Sequence, residues 1–204
     1  MAPIRAQASI ATAVIDHKPF NGREPFDKGM TAAIETAGAE FVCLAGFMRL
    51  LSDPFIDHWR DRLINIHPSL LPKHRGPSSI NWPIMAGATK TGLTIFWPDD
   101  GLDEGDILLQ KEIDVGPDDT LGSIYFDNIF PLGVEAVLEA VDLVKAGDPP
   151  QIKQNDAVAS YESWCKKEHA EIDWAKPVDE VYNLIRGTNP QPGAWTVYKG
   201  KELK

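Results

Sequence analysis

Asn65 and His67 stand two residues apart in the run Asn65-Ile66-His67-Pro68-Ser69-Leu70-Leu71-Pro72. At the end of a β-strand they would face the same way, because alternate residues of a strand share a face. A carboxamide donor beside a ring that titrates near neutral pH can stabilise an oxyanion and move a proton, which is the chemistry of acyl transfer. The two prolines stiffen the chain as it leaves. An isolated histidine at a strand end is more often satisfied by backbone than used in catalysis, so a partner is needed. Asp103, in Gly101-Leu102-Asp103-Glu104-Gly105-Asp106, is the candidate. The flanking glycines permit a tight turn and close approach, and a carboxylate there can reach the imidazole. Taken alone, Asp103 reads at least as well as a solvated or helix-capping turn residue.

The remaining chemistry is sparse. His17, His58, His74 and His169 show no spacing that would build a metal site with Cys43 and Cys165, so no metal is expected. No phosphate-cradling Gly-rich loop with a lysine, no nucleophile elbow and no dinucleotide fingerprint occurs, which removes the usual support for kinase, hydrolase-fold and dehydrogenase readings. Lys73, His74 and Arg75 form a short basic cluster that on composition is more often a solvated loop than a phosphate site.

The elements that must position these residues alternate strand and helix. Residues 11–15 form a β-leaning run, 24–38 a helix stopped at Gly38, and 41–45 and 62–66 short apolar runs of the kind expected for strands buried on both faces, with a short helix over 53–60. This pattern predicts an α/β fold, a mostly parallel sheet with flanking helices, in which ligands gather at the carboxyl ends of the strands. Two further strands, 92–97 and 107–113, are joined by an acidic loop holding Asp99, Asp100, Asp103, Glu104 and Asp106. From Thr120 to Lys145, Val134, Val137, Leu138, Val141 and Val144 recur at helical spacing, with a kink expected at Pro131. Residues 149–160 read as a polar linker, Pro177 to Arg186 as a helix, and Trp195 to Tyr198 as a strand with little chain left to pair with.

Thirty acidic and twenty basic residues give a formal charge of −10, with 43% hydrophobic and 25% charged residues. That composition fits an ordinary globular chain and disfavours broad attraction to phosphate backbones. Cys43, within Phe41-Val42-Cys43-Leu44-Ala45, reads as a buried thiol rather than half of a disulfide, which points to a reducing cytoplasm. No stretch reaches the length of a membrane span, and residues 1–15 lack a signal-peptide core.

The runs LAGFMRLLS from Leu44 and NIHPSLLPKHRG from Asn65 closely resemble the 10-formyltetrahydrofolate-dependent formyltransferases, and Asp103 falls where that family keeps its catalytic aspartate. Residues 11–72 are similar to glycinamide ribonucleotide formyltransferase. Residues 73–204 are similar to methionyl-tRNA formyltransferase and to the hydrolase domain of 10-formyltetrahydrofolate dehydrogenase. The resemblance implies a Rossmann-like catalytic domain over 1–148 that lacks the family's first strands and Gly-Ser-rich turn, the linker, and at 161–204 the truncated start of a C-terminal subdomain.

It also implies roles. Asn65, His67 and Asp103 become the catalytic set. Met48, Arg49, Leu50 and Leu51, with the 97–102 loop and in particular Trp97, Pro98, Asp99, Asp100 and Gly101, become the folate pocket. Ser69, Lys73 and Arg75 fall on the acceptor side. The implied reaction moves a formyl group from 10-formyltetrahydrofolate to an amine, that of glycinamide ribonucleotide (purine biosynthesis) or of methionyl-tRNA. Protonated His67 and Asn65 would hold the oxyanion while Asp103 keeps His67 charged. The alternatives are hydrolysis releasing formate, and a non-catalytic folate-binding or oligomer-forming remnant that pairs through exposed sheet edges.

Overall fold

The computed structural model describes residues 10–204, so the expectation about a signal-peptide core falls mostly outside the described residues. The chain divides into two units, one of residues 10–42 with Arg49–Leu63 and one of Cys43–Met48 with Ile64–Lys204.

In the first unit, α1 (Arg23–Thr36) runs until the chain turns at Gly38, whose φ of 69° suits a residue without a Cβ. The second helix, α2 (Asp53–His58), starts with Pro54 in its first turn, where a missing N–H costs nothing. Asp27, 2% exposed, accepts the N–H of Ser52 at 2.6 Å and so ties α1 to the start of α2. Glu35 and His58 pair at 3.0 Å across the same two helices. Residues 11–15 form no strand. Val14 is 91% exposed, and β-propensity acts only where a pleated surface offers neighbours to pack on.

The second unit is built on a four-stranded sheet in the order β1-β2-β3-β4, with β1 at Val42–Ala45, β2 at Leu63–His67, β3 at Lys90–Phe96 and β4 at Ile107–Asp114. β1 and β2 each take their first residue, Val42 and Leu63, from the first unit. Within the sheet, β2/β3 and β3/β4 both pair antiparallel. A parallel return needs a crossover that carries the chain back to the start of its strand. The loop from β3 to β4 joins adjacent ends instead, and the one helix between β2 and β3, α3 (Asn81–Met85), is only roughly 7 Å long. β1 alternates in burial as an outer strand does, so Cys43 is exposed rather than buried.

Behind the sheet, Ile80, Ile84, Val115, Ile124 and Ile129 form an apolar cluster, with Ile84 and Ile124 fully buried. The long helical stretch predicted from Thr120 is real but changes register. Leu121–Ser123 is α-helical and Ile124–Ile129 a π-helix, and α4 (Phe130–Ala146) carries in its first turn Pro131, which has no N–H to give. Its buried stripe is Gly133, Ala136 and Ala140, not the valines. Small residues let the backbone approach the sheet closely, and a Cβ on Gly133 would stand 3.0 Å from Ile66 Cδ1. Val134 and Leu138 are 55% and 62% exposed.

The last segment holds α5 (Val178–Gly187) and a hairpin of β5 (Thr196–Tyr198) with β6 (Lys201–Leu203). The expectation that the strand near Trp195 lacks a partner fails because Lys199 and Gly200, both at positive φ, make the two-residue turn that twisted hairpins favour. Arg186, 6% exposed, donates to the carbonyls of Gly116 and Asp119 at 3.1 Å each and fastens α5 to the body of the unit. No helix among the described residues is long and apolar enough to cross a membrane.

Gly92 lies in β3, where a Cβ would stand 2.1 Å from the carbonyl oxygen of Lys111 and 2.7 Å from Leu70 Cδ2. Gly147, with φ of 95°, has open space around it. Urea denaturation should therefore show Gly92→Ala destabilising the protein by about 3 kcal/mol and Gly147→Ala by about 1 kcal/mol. Equal costs would contradict the packing described.

Candidate active site

β2 ends at His67, and the antiparallel register sets His67 opposite Thr94 of β3 and Thr94 opposite Gln110 of β4. This row anchors the loop that follows. Thr94, fully buried, donates its hydroxyl to Ser69 O at 2.7 Å and accepts the N–H of Leu71 at 3.1 Å and the amide of Gln110 at 2.9 Å. A hydroxyl has one donor and two acceptor sites, so Thr94 is fully used. Gln110 also donates to Leu71 O at 2.7 Å, and Ser69 to Lys73 O at 2.8 Å. The loop from Pro68 to Gly76 is thus fixed by side chains beneath it rather than by regular structure of its own.

That loop presents the carbonyl of His74 to His67. The Nε2 of His67 lies 2.8 Å from His74 O, and because a carbonyl only accepts, Nε2 carries the hydrogen. Nδ1 then faces Oδ2 of Asp103 at 3.5 Å. The same oxygen accepts the N–H of Gly76 at 2.8 Å. Asp103 sits in its turn with φ of 56°, so the positive-φ position falls on the aspartate itself and not on the flanking glycines. Gly105 serves close approach, since a Cβ there would collide with the carbonyl of Trp97. Asn65, half-buried and on the same strand face as His67, makes no side-chain hydrogen bond among the described residues, which leaves its amide free to donate.

His67 is only 6% exposed, and burial pulls its pKa below 6.5, against the opposing pull of Asp103 and of the His74 carbonyl; His74 adds a small repulsion in the direction of burial. The resting ring is therefore neutral. The expectation that Asp103 keeps His67 charged is corrected, because at 3.5 Å one carboxylate does not outweigh desolvation. A neutral, Nε2-protonated imidazole with Nδ1 beside a carboxylate can accept a proton at Nδ1 and hold the resulting charge.

The other predicted site residues divide. Ser69, fully buried, and Arg75, 1% exposed, belong to the framework: Arg75 is engaged by Gln154, Tyr161 and Asp156, so neither can present a group to an acceptor. Lys73 is exposed next to them. Trp97 is buried and donates to Pro150 O, while Asp99 accepts the N–H of Gly101 at 3.0 Å, shaping the turn before Asp103. Burial pushes the Asp99 carboxyl up, against the Gly101 N–H that favours its charged form. Met48 is 57% exposed, and in the first unit Leu50 is 58% exposed while Arg49 lies 5.3 Å over the Phe26 ring. A cleft of about 420 Å³ lined by Trp82, Met85, His169 and Leu184 contains none of these residues. Among the described residues no group of three or more His, Cys, Asp and Glu could hold a metal ion.

Residues 3–140 match the sequence profile of the formyl transferase family, and residues 165–204 that of the formyl transferase C-terminal domain. The chain belongs to the formyl transferase family. It is 52% identical over 137 residues to the cytosolic 10-formyltetrahydrofolate dehydrogenase of Xenopus tropicalis, covering 67% of this chain and 15% of that protein. It is 39% identical over 178 residues to the methionyl-tRNA formyltransferase of Syntrophus aciditrophicus, covering 87% and 57%. The chain thus spans well under two thirds of the length of these relatives. Among solved structures, glycinamide ribonucleotide transformylase 1 from Symbiobacterium toebii matches with a TM-score of 0.68 at 28% identity, covering 73% of each chain. HypX from Aquifex aeolicus, with a TM-score of 0.75 at 24% identity over 86% of this chain and 31% of that one, shares the fold.

Because the folded state resists protonating His67 while the unfolded chain does not, the unfolded state binds the extra proton as pH falls below 6.5. His67 thus costs stability progressively below that pH and nothing well above it. Denaturation of the parent and of His67→Gln between pH 4 and 8 should show the parent losing more stability below pH 6.5, with an extra slope of up to about 1.4 kcal/mol per pH unit. Parallel curves would refute the burial-dominated balance.

Proposed function

We propose that this protein transfers the formyl group of 10-formyltetrahydrofolate to an amine, with Asn65, His67 and Asp103 around the reacting atoms. The observation that supports it most is the division of labour on one ring, with Nε2 pinned by His74 O and Nδ1 turned to Asp103. The acceptor nitrogen attacks the formyl carbon and the carbonyl oxygen becomes an oxyanion, to which the Asn65 amide donates. As the new C–N bond forms, the attacking nitrogen turns acidic and Nδ1 of His67 takes its proton, Asp103 stabilising the imidazolium. The bond from carbon to the folate nitrogen then breaks, and the proton passes from His67 to that nitrogen.

We assign donor contacts to Trp97, Pro98, Asp99, Asp100 and Gly101, and by the family resemblance to Met48, Arg49, Leu50 and Leu51. Neither implied acceptor is favoured: the net charge of −10 opposes strong binding of tRNA, and nothing specific to glycinamide ribonucleotide stands at the site. We assign the 161–204 segment to a C-terminal subdomain, and two free cysteines fit a cytoplasmic setting. The intact arrangement of all three residues argues against a non-catalytic remnant.

The second reading, hydrolysis to formate, draws on the 52% identity to a relative named as a 10-formyltetrahydrofolate dehydrogenase. Incubating the protein with 10-formyltetrahydrofolate and glycinamide ribonucleotide, methionyl-tRNA or water alone separates these outcomes. Amine-dependent release of tetrahydrofolate is expected, and equal formate release without amine would establish hydrolysis. His67→Ala should lower turnover about 10²–10⁴-fold and Asn65→Ala about 10²–10³-fold. Full turnover by His67→Ala would end the proposal.

A further inference from the structure

Asp103 is held in a costly conformation by a segment that the site described so far does not include. A non-glycine residue at φ of 56° is disfavoured by roughly 1–2 kcal/mol, so its turn persists only if its surroundings hold it there. Gly76 N–H holds the carboxylate. The backbone of the turn is held by Gln154, whose amide nitrogen donates to Asp103 O at 2.9 Å and to Gly105 O at 2.7 Å. The amide oxygen of Gln154 accepts from Arg75 Nε at 3.1 Å and Nη2 at 2.8 Å. Carbonyls only accept and a guanidinium only donates, so this amide orientation is the one that chemistry allows, and every hydrogen-bonding site on it is used.

Arg75 is in turn fixed from all sides. Nη2 also donates to Asp156 at 2.7 Å and Nη1 to Tyr161 Oη at 2.7 Å, and Tyr161 donates to Glu104 at 2.6 Å. Its backbone pairs with Ser160 O and the Glu162 N–H. Next to it, His74 Nδ1 pairs with Glu162 at 2.8 Å, and a Cβ on Gly76 would collide with Glu162 O. One stretch of chain, 154–162, therefore grips both loops that face His67.

We propose that Gln154, oriented by Arg75, is a positioning residue for Asp103, so that the 154–162 segment is part of the reaction centre and not a passive linker. The proposal rests on the reading that Asp103 acts on His67. Gln154 touches no reacting atom; it sets where the Asp103 carboxylate stands relative to Nδ1, and a misplacement of about 1 Å at such a contact can cost about 10²-fold in rate.

Two variants test this in the full chain. Gln154→Glu keeps an acceptor oxygen for Arg75, removes the donors to the Asp103 turn and adds a negative charge there, and Gln154→Leu removes both contacts without adding charge. Turnover is read as tetrahydrofolate release, and the His67 ring is titrated by NMR, beside Asp103→Asn as reference. Both Gln154 variants should lower kcat about 10–100-fold with little change in the KM for 10-formyltetrahydrofolate. In Gln154→Leu, which adds no charge, His67 should titrate lower than in the parent, in the direction Asp103→Asn moves it. Parental kcat and parental His67 titration in the variants would overturn the proposal, as would a loss of thermal stability alone. If Asp103→Asn keeps full turnover, the proposed reaction fails instead, and the His67 titration still reports whether Gln154 positions the carboxylate. If Gln154→Leu does not fold, Gln154→Glu decides.

Discussion

The hydrogen bond from His67 Nε2 to the carbonyl of His74 determines which ring nitrogen is free to react. Once Nε2 is committed as a donor, Nδ1 is the atom left able to accept a proton, and it is the one turned to Asp103. Holding a backbone carbonyl at that point requires a loop of fixed shape. Thr94 and Gln110 supply it from beneath, and Ser69 from within. Each of these bonds contributes only about 1 kcal/mol net, but losing any one would leave a buried polar group unpaired, which costs more. Substitutions beneath the loop therefore act on the ring through the carbonyl and need not touch Asp103.

Two electrostatic effects compete at the ring, and desolvation is the larger. Asp103 and the His74 carbonyl both favour the imidazolium, yet burial keeps the ring neutral at rest. The carboxylate is best placed to act when charge appears during the reaction. It then faces a cation at short range without having populated that cation beforehand, as expected of a preorganised site. The strained turn, the Gly76 N–H and the grip on Arg75 all serve to keep that carboxylate where it is before the charge arrives.

The sequence made the elements legible where local chemistry decides them: Gly38 ends α1, Asn65 and His67 lie on β2, and α2, β3, β4 and α5 fall within a few residues of expectation. It misled where tertiary context overrides a pattern. The valine stripe of α4 suggested a core face, but close approach to the sheet favours Gly133, Ala136 and Ala140. Cys43 lay in an apolar run and proved exposed because its strand lies at the edge of the sheet. Residues 149–160 looked like a linker because they are polar and contain proline, whereas Gln154 and Asp156 reach partners 49 to 81 residues away in sequence. No spacing rule encodes such pairs. Thr94 and Gln110 were missed for the same reason, since Gln110 stands at the head of the polar stretch Gln110-Lys111-Glu112 and looked like an ordinary solvated residue. The proximity of His67 and Asp103 was legible because motif and turn chemistry coincide.

The resting state of His67 also bears on transfer against hydrolysis. A base held below 6.5 is weak, and water must lose its proton as it attacks, so a weak base assists it poorly. An amine needs no such help to attack. Its nitrogen becomes cationic as the bond forms, and a weak base accepts that proton readily because the donor is by then strongly acidic. The same weakness suits the second half of the reaction, since an imidazolium of low pKa gives its proton readily to the departing folate nitrogen. A buried neutral histidine is therefore compatible with the proposed movement of the formyl group between two nitrogens. Hydrolysis at this site would require the charge of Asp103 to strengthen the base in the transition state by more than burial weakens it at rest.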